Sequence, residues 1–346
     1  MSKTRVGIIN VTGYAGVELA RLLCRHPEVQ LTSVTGRSAA GQKLGTVFPH
    51  LTSLDLTIQA ELGEVDFAFS ALPHKESVKE IIPLIERGIK VVDISADFRL
   101  KDPAAYPTWY GFTHPAPELL QEAVFGLTEL YHAQIASAKL VANPGCYPTS
   151  AILALAPALK AGIIEPDVIV DSKSGVSGAG RTLSLGTHFA EVNDDVSAYA
   201  LEGHRHLPEI MQELSLLSRK PLVQVTFTPH LIPMTRGILT TAYANLIPGK
   251  LAAGKKGKEE LMSLYLDFYK GTHFTKVVGY LPHTKYTWGN NDCLIHPDLN
   301  YNGDKLIVIS CLDNLVKGAA GQAIQNMNLM LGLPETMGLQ APAVYP

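Results

Sequence analysis

Between residues 5 and 100 short apolar runs alternate with amphipathic stretches, and this alternation constrains the chain more than any other feature. Arg5–Asn10 is a short apolar run, and behind it come a glycine turn and the amphipathic stretch Val17–Cys24. Gln30–Thr35 and Val65–Ala71 are two further apolar runs. A helical pattern around Ser77–Arg87 then leads into Ile89–Ile94, a β-branched run of the kind found in buried parallel strands. Strand, helix, strand, helix in this order builds a doubly wound parallel sheet of the Rossmann type, so the fold class is α/β over this half.

The pattern changes after Pro144. A helix of small and apolar residues is expected from about Pro148 to Lys160. The strands that follow, Val168–Ser172, Val223–Thr228, Gly237–Asn245 and Lys305–Cys311, alternate more and are joined by long loops, which predicts an α+β domain with a mixed or antiparallel sheet. Lys255–Tyr269 reads as a surface helix and Gly318–Leu331 as a buried one that returns to the first domain. The expected division is a dinucleotide-binding domain over residues 1–147, completed by 312–346, and a catalytic and oligomerisation domain over 148–311. The 346 residues suffice for two cores.

Composition excludes several classes. A net charge of −3 gives no basic excess for nucleic acid, and 46% hydrophobic content describes a globular chain, not a disordered one. The run Val6–Val11 is too short for a signal peptide and reads as a first strand. No stretch approaches the roughly 20 apolar residues that span a bilayer. Cys24, Cys146, Cys293 and Cys311 form no CxxC pair, so neither a zinc site nor a disulfide scaffold is expected. Free thiols point to a cytoplasmic protein.

Gly13-Tyr14-Ala15-Gly16 lies between a strand and a helix, the context that makes a glycine turn a dinucleotide site. Gly13 admits a pyrophosphate close to the backbone, Gly16 allows tight helix–sheet packing, and the helix end offers N–H groups to the anion. Asn10 stands where the first glycine of the fingerprint is expected, and asparagine tolerates left-handed backbone. After the second strand come Arg37 and Ser38 instead of a carboxylate, a choice that suits the 2′-phosphate of NADP. The plain alternative is a solvated loop arginine.

Asn143-Pro144-Gly145-Cys146-Tyr147-Pro148-Thr149 is the most informative stretch. Its prolines and glycine fix a tight turn, and Pro148 marks the first turn of a helix. Cys146 is thus expected at a helix N-terminus, where thiolates are stabilised and become usable nucleophiles. Cys24, Cys293 and Cys311 fit the ordinary fate of a buried thiol. His204-Arg205-His206, followed by Pro208, supplies a candidate acid/base near a second helix start; which imidazole moves the proton is open. The helix end should favour the neutral form of His206. Asp171–Arg181 is rich in glycine and hydroxyl groups and can present backbone N–H groups to a flat ring or an anion.

These residues belong to a longer series of blocks. Besides the two turns it includes Phe48–Leu51, Ala71–His74, Asp93–Leu100, Trp109–Gly111, Ser174–Arg181, Gly203–Ile210, Phe227–Gly237 and Asp313–Gln322. Taken in order, they resemble the N-acetyl-γ-glutamyl-phosphate reductases, arginine-biosynthesis enzymes related to the aspartate-semialdehyde dehydrogenases. The resemblance implies a nucleophile at Cys146, histidine chemistry within His204–His206, and nicotinamide contacts from Ser174, Gly175, Ser177, Gly178 and Asn314. Asn10 and Lys75 depart from it, each standing where the family favours glycine.

The implied chemistry reduces an acyl phosphate with NADPH through a Cys146 thioester, releasing phosphate and an aldehyde. Arg99, Arg181, Arg205 and Arg236 are candidates for the anionic ends of the substrate, with Asn143 beside them. Three rivals remain: an aminoadipyl-phosphate reductase or aspartate-semialdehyde dehydrogenase; a Cys/His thiol hydrolase that needs no nicotinamide; and a non-catalytic dinucleotide sensor. A homodimer or homotetramer is expected, from the apolar strands of the second domain.

Overall fold

The computed structural model describes residues 3–218 and 224–346. It divides into two compact units. One runs to Gly145 and resumes over Ala319–Ala341; the other takes Cys146–Gly318 and Pro342–Pro346. The first break comes before Cys146, not after residue 147, because Cys146 already belongs to a helix that packs on the second sheet. The return falls at Ala319 instead of 312. Asp313 and Asn314 are still tied to the second unit through Arg236 and Gly237. The tail stays there as well, through a Val344 N–H bond to the Trp288 carbonyl.

In the first unit the strands are β1 (Thr4–Ile9), β2 (Val29–Val34), β3 (Phe67–Ser70), β4 (Lys90–Asp93), β5 (Val124–Phe125) and β6 (Leu140–Ala142). They form one six-stranded sheet in the order β2-β1-β3-β4-β6-β5, and every pair is parallel. The doubly wound sheet is therefore present, with its change of direction between β1 and β3, where ligands of such sheets bind. β3 and β6 are buried along their whole length, which is why they read as unbroken apolar runs. The helix Tyr14–Leu23 follows β1, and Ser77–Glu86 lies between β3 and β4. Three short helices, Ala105–Tyr110, Pro117–Glu122 and Thr128–Ser137, fill the passage to β6; no periodicity in the sequence announced them.

The second unit holds β7 (Ile164–Gly175), β8 (Ser197–Ala198), β9 (Gln224–Ile232), β10 (Ile238–Leu246), β11 (Thr275–Val277), β12 (Cys293–Leu299) and β13 (Lys305–Leu312). The sheet runs β11-β12-β13-β10-β7-β9-β8 and is mixed: β7–β9 and β11–β12 are parallel, the other pairs antiparallel. Val223, the expected first residue of β9, lies outside the described residues. β12 was missed, and it supplies a buried strand next to β13.

The helix Cys146–Ala161 packs on β7, β10, β12 and β13 and is buried from Tyr147 through Leu159. It carries Pro157, which cannot bond the Leu153 carbonyl. The Tyr269 hydroxyl takes that carbonyl at 2.5 Å, and Tyr265 donates to Ala154 at 2.8 Å. Both tyrosines close the helix Gly254–Phe268 against it, so an interior proline is tolerated without an orphaned acceptor. Beneath the helix, Ser150, Thr240, Ser172 and Ser310 share hydroxyl hydrogen bonds at 2.8–2.9 Å.

Candidate active site

The first unit offers a turn built to receive an anion. β1 ends at Ile9, and Asn10 takes φ +68°, the left-handed conformation that glycine would otherwise supply. Its side chain secures it there: Nδ2 donates to the Ala71 carbonyl at 2.9 Å and Oδ1 accepts the Thr12 hydroxyl at 3.0 Å. Gly16 is required by packing, since an added Cβ would lie 2.3 Å from the Asn10 carbonyl oxygen. Gly13 is different. Its φ is −78°, and an added Cβ would meet only Asn10 Nδ2, at 3.6 Å. Neither backbone nor packing requires a glycine there, and the space beside it is open to an incoming group. Gly13 caps the helix Tyr14–Leu23 without a side-chain bond, so the first-turn N–H groups of Tyr14, Ala15 and Gly16 face the space above the turn. The fit to a pyrophosphate is good.

Arg37 and Ser38 are exposed at the end of β2. Arg37 is more than a solvated arginine. Its guanidinium pairs with Glu76 at 2.6 Å and lies 3.8 Å from Glu80. A 2′-phosphate at Arg37 therefore has to compete with Glu76.

Arg99 and Asn143, two candidates for substrate contact, are both engaged inside the fold. Arg99 is buried, and it donates to the carbonyls of Asn143 and Ile94, both at 2.8 Å. Asn143 is fully buried; its Nδ2 donates to the Ala319 carbonyl and its Oδ1 accepts Asn326 Nδ2. Both residues hold the main chain just before Cys146. Next to them lies an acidic cluster. Asp93 accepts the hydroxyls of Ser77 and Ser95 and the Ser95 N–H. Asp97 accepts the N–H groups of Lys75 and Val78 at the start of the helix Ser77–Glu86. Burial, reinforced by the nearby Asp97, pushes the Asp93 carboxyl up to about 6.

In the second unit Cys146 is the first residue of its helix and is partly exposed. Tyr147 organises its surroundings. The Tyr147 hydroxyl donates to the His230 carbonyl at 3.1 Å and accepts the Tyr199 hydroxyl at 3.1 Å. The rings of His204, His206 and Phe227 meet the Tyr147 ring at 5.7, 5.9 and 5.4 Å. Burial raises both tyrosine pKa values, and the charge of Cys146 adds to each. His204 and His206 thus both pack on Tyr147, the residue that follows Cys146.

The two imidazoles differ. His206 caps the helix Leu207–Leu217 with Pro208 in the first turn, as expected. Its backbone N–H donates to His204 Nδ1 at 3.0 Å, which puts the His204 proton on Nε2. Burial, then the Arg205 charge, lowers His204 to about 4. It is neutral at pH 7.

β7 ends in the Ser174–Gly178 loop. Asn314 Nδ2 donates to Ser177 Oγ at 2.9 Å, its Oδ1 accepts the Gly237 N–H, and a Cβ on Gly178 would lie 2.9 Å from Ser174 Oγ. Ser174, Gly175, Ser177 and Gly178 therefore form one tight loop to which Asn314 is bonded. Arg181 and Arg205 are exposed. Arg236 pairs with the buried Asp313 carboxylate at 3.3 Å. Cys24 is exposed, not buried, because the helix ends one residue before it; Cys293 and Cys311 are buried, and burial pushes Cys311 up to about 12. Tyr147, Tyr199 and Asp313 carried no signal of their own in the sequence, although Tyr147 and Asp313 stand inside recognisable blocks. Among the described residues no cluster of three His, Cys, Asp or Glu suits a metal ion.

Comparison with known proteins agrees with this layout. Residues 5–138 match the semialdehyde dehydrogenase NAD-binding domain and residues 146–314 the semialdehyde dehydrogenase dimerisation domain. Aspartate semialdehyde dehydrogenase II of Vibrio cholerae, solved with ASA, superposes with a TM-score of 0.69 over 96% of this chain and 99% of that one, at 15% identity. The aspartate semialdehyde dehydrogenase of Candida albicans, solved with NADP, gives 0.68 over 95% and 99%, also at 15%. The class is that of the semialdehyde dehydrogenases. Within it, the chain is 59% identical to the N-acetyl-gamma-glutamyl-phosphate reductase of Dehalococcoides mccartyi strain CBDB1, over 100% of both chains. It is 49% identical to that of Pelotomaculum thermopropionicum over 99% of both. The chain belongs to the N-acetyl-gamma-glutamyl-phosphate reductase family.

Proposed function

We propose that the chain reduces N-acetyl-γ-glutamyl phosphate to N-acetylglutamate semialdehyde with NADPH, releasing phosphate, as a step of arginine biosynthesis. The observation that carries this reading is Cys146 at the mouth of its helix with both imidazoles packed on the neighbouring Tyr147. A thiolate there is stabilised by the helix end and is the stronger nucleophile for it. It attacks the acyl carbon, the carbonyl collapses again, and phosphate leaves with the bonding pair, giving a thioester.

The turn Gly13–Gly16 with Arg37 and Ser38, and the loop Ser174, Gly175, Ser177, Gly178 with Asn314, would hold the cofactor. When bound, NADPH supplies the hydride that reduces the thioester carbon. His204, neutral and with its proton on Nε2, donates a hydrogen bond to the developing oxyanion. Proton transfer falls to His206, which takes the thiol proton of Cys146 before the attack and returns it to the sulfur as the aldehyde departs. Arg181 and Arg205, both exposed, suit the carboxylate and phosphate of the substrate. Arg236, paired with Asp313 through one of its nitrogens, is the third candidate.

In the reverse direction, phosphate-dependent NADP reduction should occur with N-acetylglutamate semialdehyde. It should not occur with aspartate semialdehyde or the aminoadipate analogue. Turnover with either of those, or ester hydrolysis without nicotinamide, overturns the assignment.

We also propose that the chain works in the cytoplasm as a homodimer or a dimer of dimers. Helices cover one face of the second sheet. The cross-strand set Ile169, Tyr243 and Ile307, with Thr241 and Ile309 beside it, lies half-exposed on the other, and a second copy would cover it. Leu183, Leu185, Phe189 and Leu201, all strongly exposed, add to the apolar surface. Light scattering that returns the mass of one chain would reject the oligomer.

A further inference from the structure

The chain enters its last helix, Gly321–Met330, through a π-turn over Val316–Ala320. Such turns carry one residue more than the α-helical register allows and recur at functional sites. Gly318 lies at the middle of this one. A Cβ added there would lie 2.8 Å from Cys146 Cβ and 3.3 Å from both Cys146 Cα and the Asp313 carbonyl oxygen. Carbon atoms do not approach to 2.8 Å, so something would have to move. Gly318 is outside the left-handed region, so its lack of a side chain is required by space alone.

The turn itself is poorly placed to yield. Asp313, fully buried, accepts the Leu315 and Val316 N–H groups on Oδ1, and the Gly289 N–H and Arg236 guanidinium on Oδ2. Its carbonyl accepts the Gly318 N–H at 2.9 Å. Asn314 is pinned to Gly237 and Ser177. Any displacement therefore falls on Cys146.

We propose that Gly318 is a positioning residue for the nucleophile: the π-turn forms a fixed wall against which the Cys146 β-carbon rests, and that contact aims the sulfur. The proposal rests on Cys146 being the nucleophile. It adds that the aim of the sulfur is set by a glycine far away in sequence.

The test compares full-length Gly318→Ala with Gly279→Ala, since a Cβ at exposed Gly279 meets nothing within 4 Å. Gly318→Ala should lower kcat about tenfold or more while KM for NADPH stays within about twofold, the pattern of a misplaced reacting atom. The pH midpoint for alkylation of Cys146 by iodoacetamide should move as well. Gly279→Ala should change neither. Thermal unfolding provides a readout independent of activity. Gly318→Ala should lower Tm in the native background and much less in Cys146→Gly, which removes the clashing β-carbon. If Gly318→Ala does not fold, the double variant should restore folding. Native kcat and alkylation in Gly318→Ala, or an equal Tm loss in both backgrounds, overturns the proposal. A fully active Cys146→Ser would instead reject the nucleophile and leave the Tm coupling standing.

Discussion

The two units solve different problems with different parts of the polypeptide. The first presents backbone: a left-handed Asn10, a glycine whose missing side chain leaves room for a ligand, and the open N–H groups of a helix. The second presents side chains: two imidazoles and the Tyr199 hydroxyl gathered about Tyr147, next to the Cys146 thiol in the chain. The sheets follow the same division. The parallel one is buried and reads as continuous apolar runs, whereas the mixed one has a helix-covered face and a half-exposed face and reads as alternation. A site made of backbone holds a cofactor common to many enzymes. In the proposed reading, one made of side chains carries the particular reaction.

The sharpest way to break that division is Cys146→Ser, which should reduce kcat by about a thousandfold or more and leave NADPH affinity, read by fluorescence titration, within a factor of about two. Gly16→Ala should do the opposite. Its Cβ would sit 2.3 Å from the Asn10 carbonyl, so NADPH binding should be lost, together with about 2–4 kcal/mol of stability in urea unfolding. Iodoacetamide should still alkylate Cys146 in that variant at a near-native rate.

The third comparison is electrostatic. Asp93, raised to about 6, binds more proton folded than unfolded, so its contribution falls as pH rises through 6. His204, lowered to about 4, binds less proton folded, so its contribution grows as pH rises and is lost as pH falls from about 6.5 through 4. The two slopes oppose each other between about pH 4 and 6. Asp93→Asn removes one of them, so its stability relative to the native chain should climb by about 1–2 kcal/mol across that window. A difference independent of pH would mean the Asp93 carboxyl is not raised.

Arg37→Ala should raise KM for NADPH about tenfold at unchanged kcat and leave NADH turnover as it was, since only the 2′-phosphate loses a partner. Equal loss with both nucleotides would remove Arg37 from cofactor discrimination. The smallest effect belongs to Lys75, held at φ +75°. Lys75→Gly should stabilise the first unit by up to about 1 kcal/mol in urea unfolding, and a loss would show that the lysine side chain outweighs its backbone strain.

The doubly wound half was legible because its strands are buried runs punctuated by a glycine turn, and the left-handed role of Asn10 followed from asparagine's backbone tolerance alone. Cys146 was legible from two prolines and a glycine. What stayed hidden depends on contacts between residues distant in the chain. Arg99 and Asn143 look like ligands for an anion in sequence, yet they hold carbonyls and amides of their own fold. His204 and His206 differ through one backbone N–H, His206 to His204 Nδ1, which no spacing reveals. β12 went unseen because Pro297 and His296 interrupt its apolar pattern, and only its pairing with β13 makes it a strand. Gly318 meets Cys146 across 171 intervening positions.

The covalent step can be caught directly. Acyl phosphate added to the native chain without nicotinamide, quenched in acid and digested, should give an N-acetylglutamyl group on the Cys146 peptide, close to one per chain, and one equivalent of free phosphate. Phosphate release in that experiment with Cys146 unmodified, or an adduct on any other residue, would contradict the account.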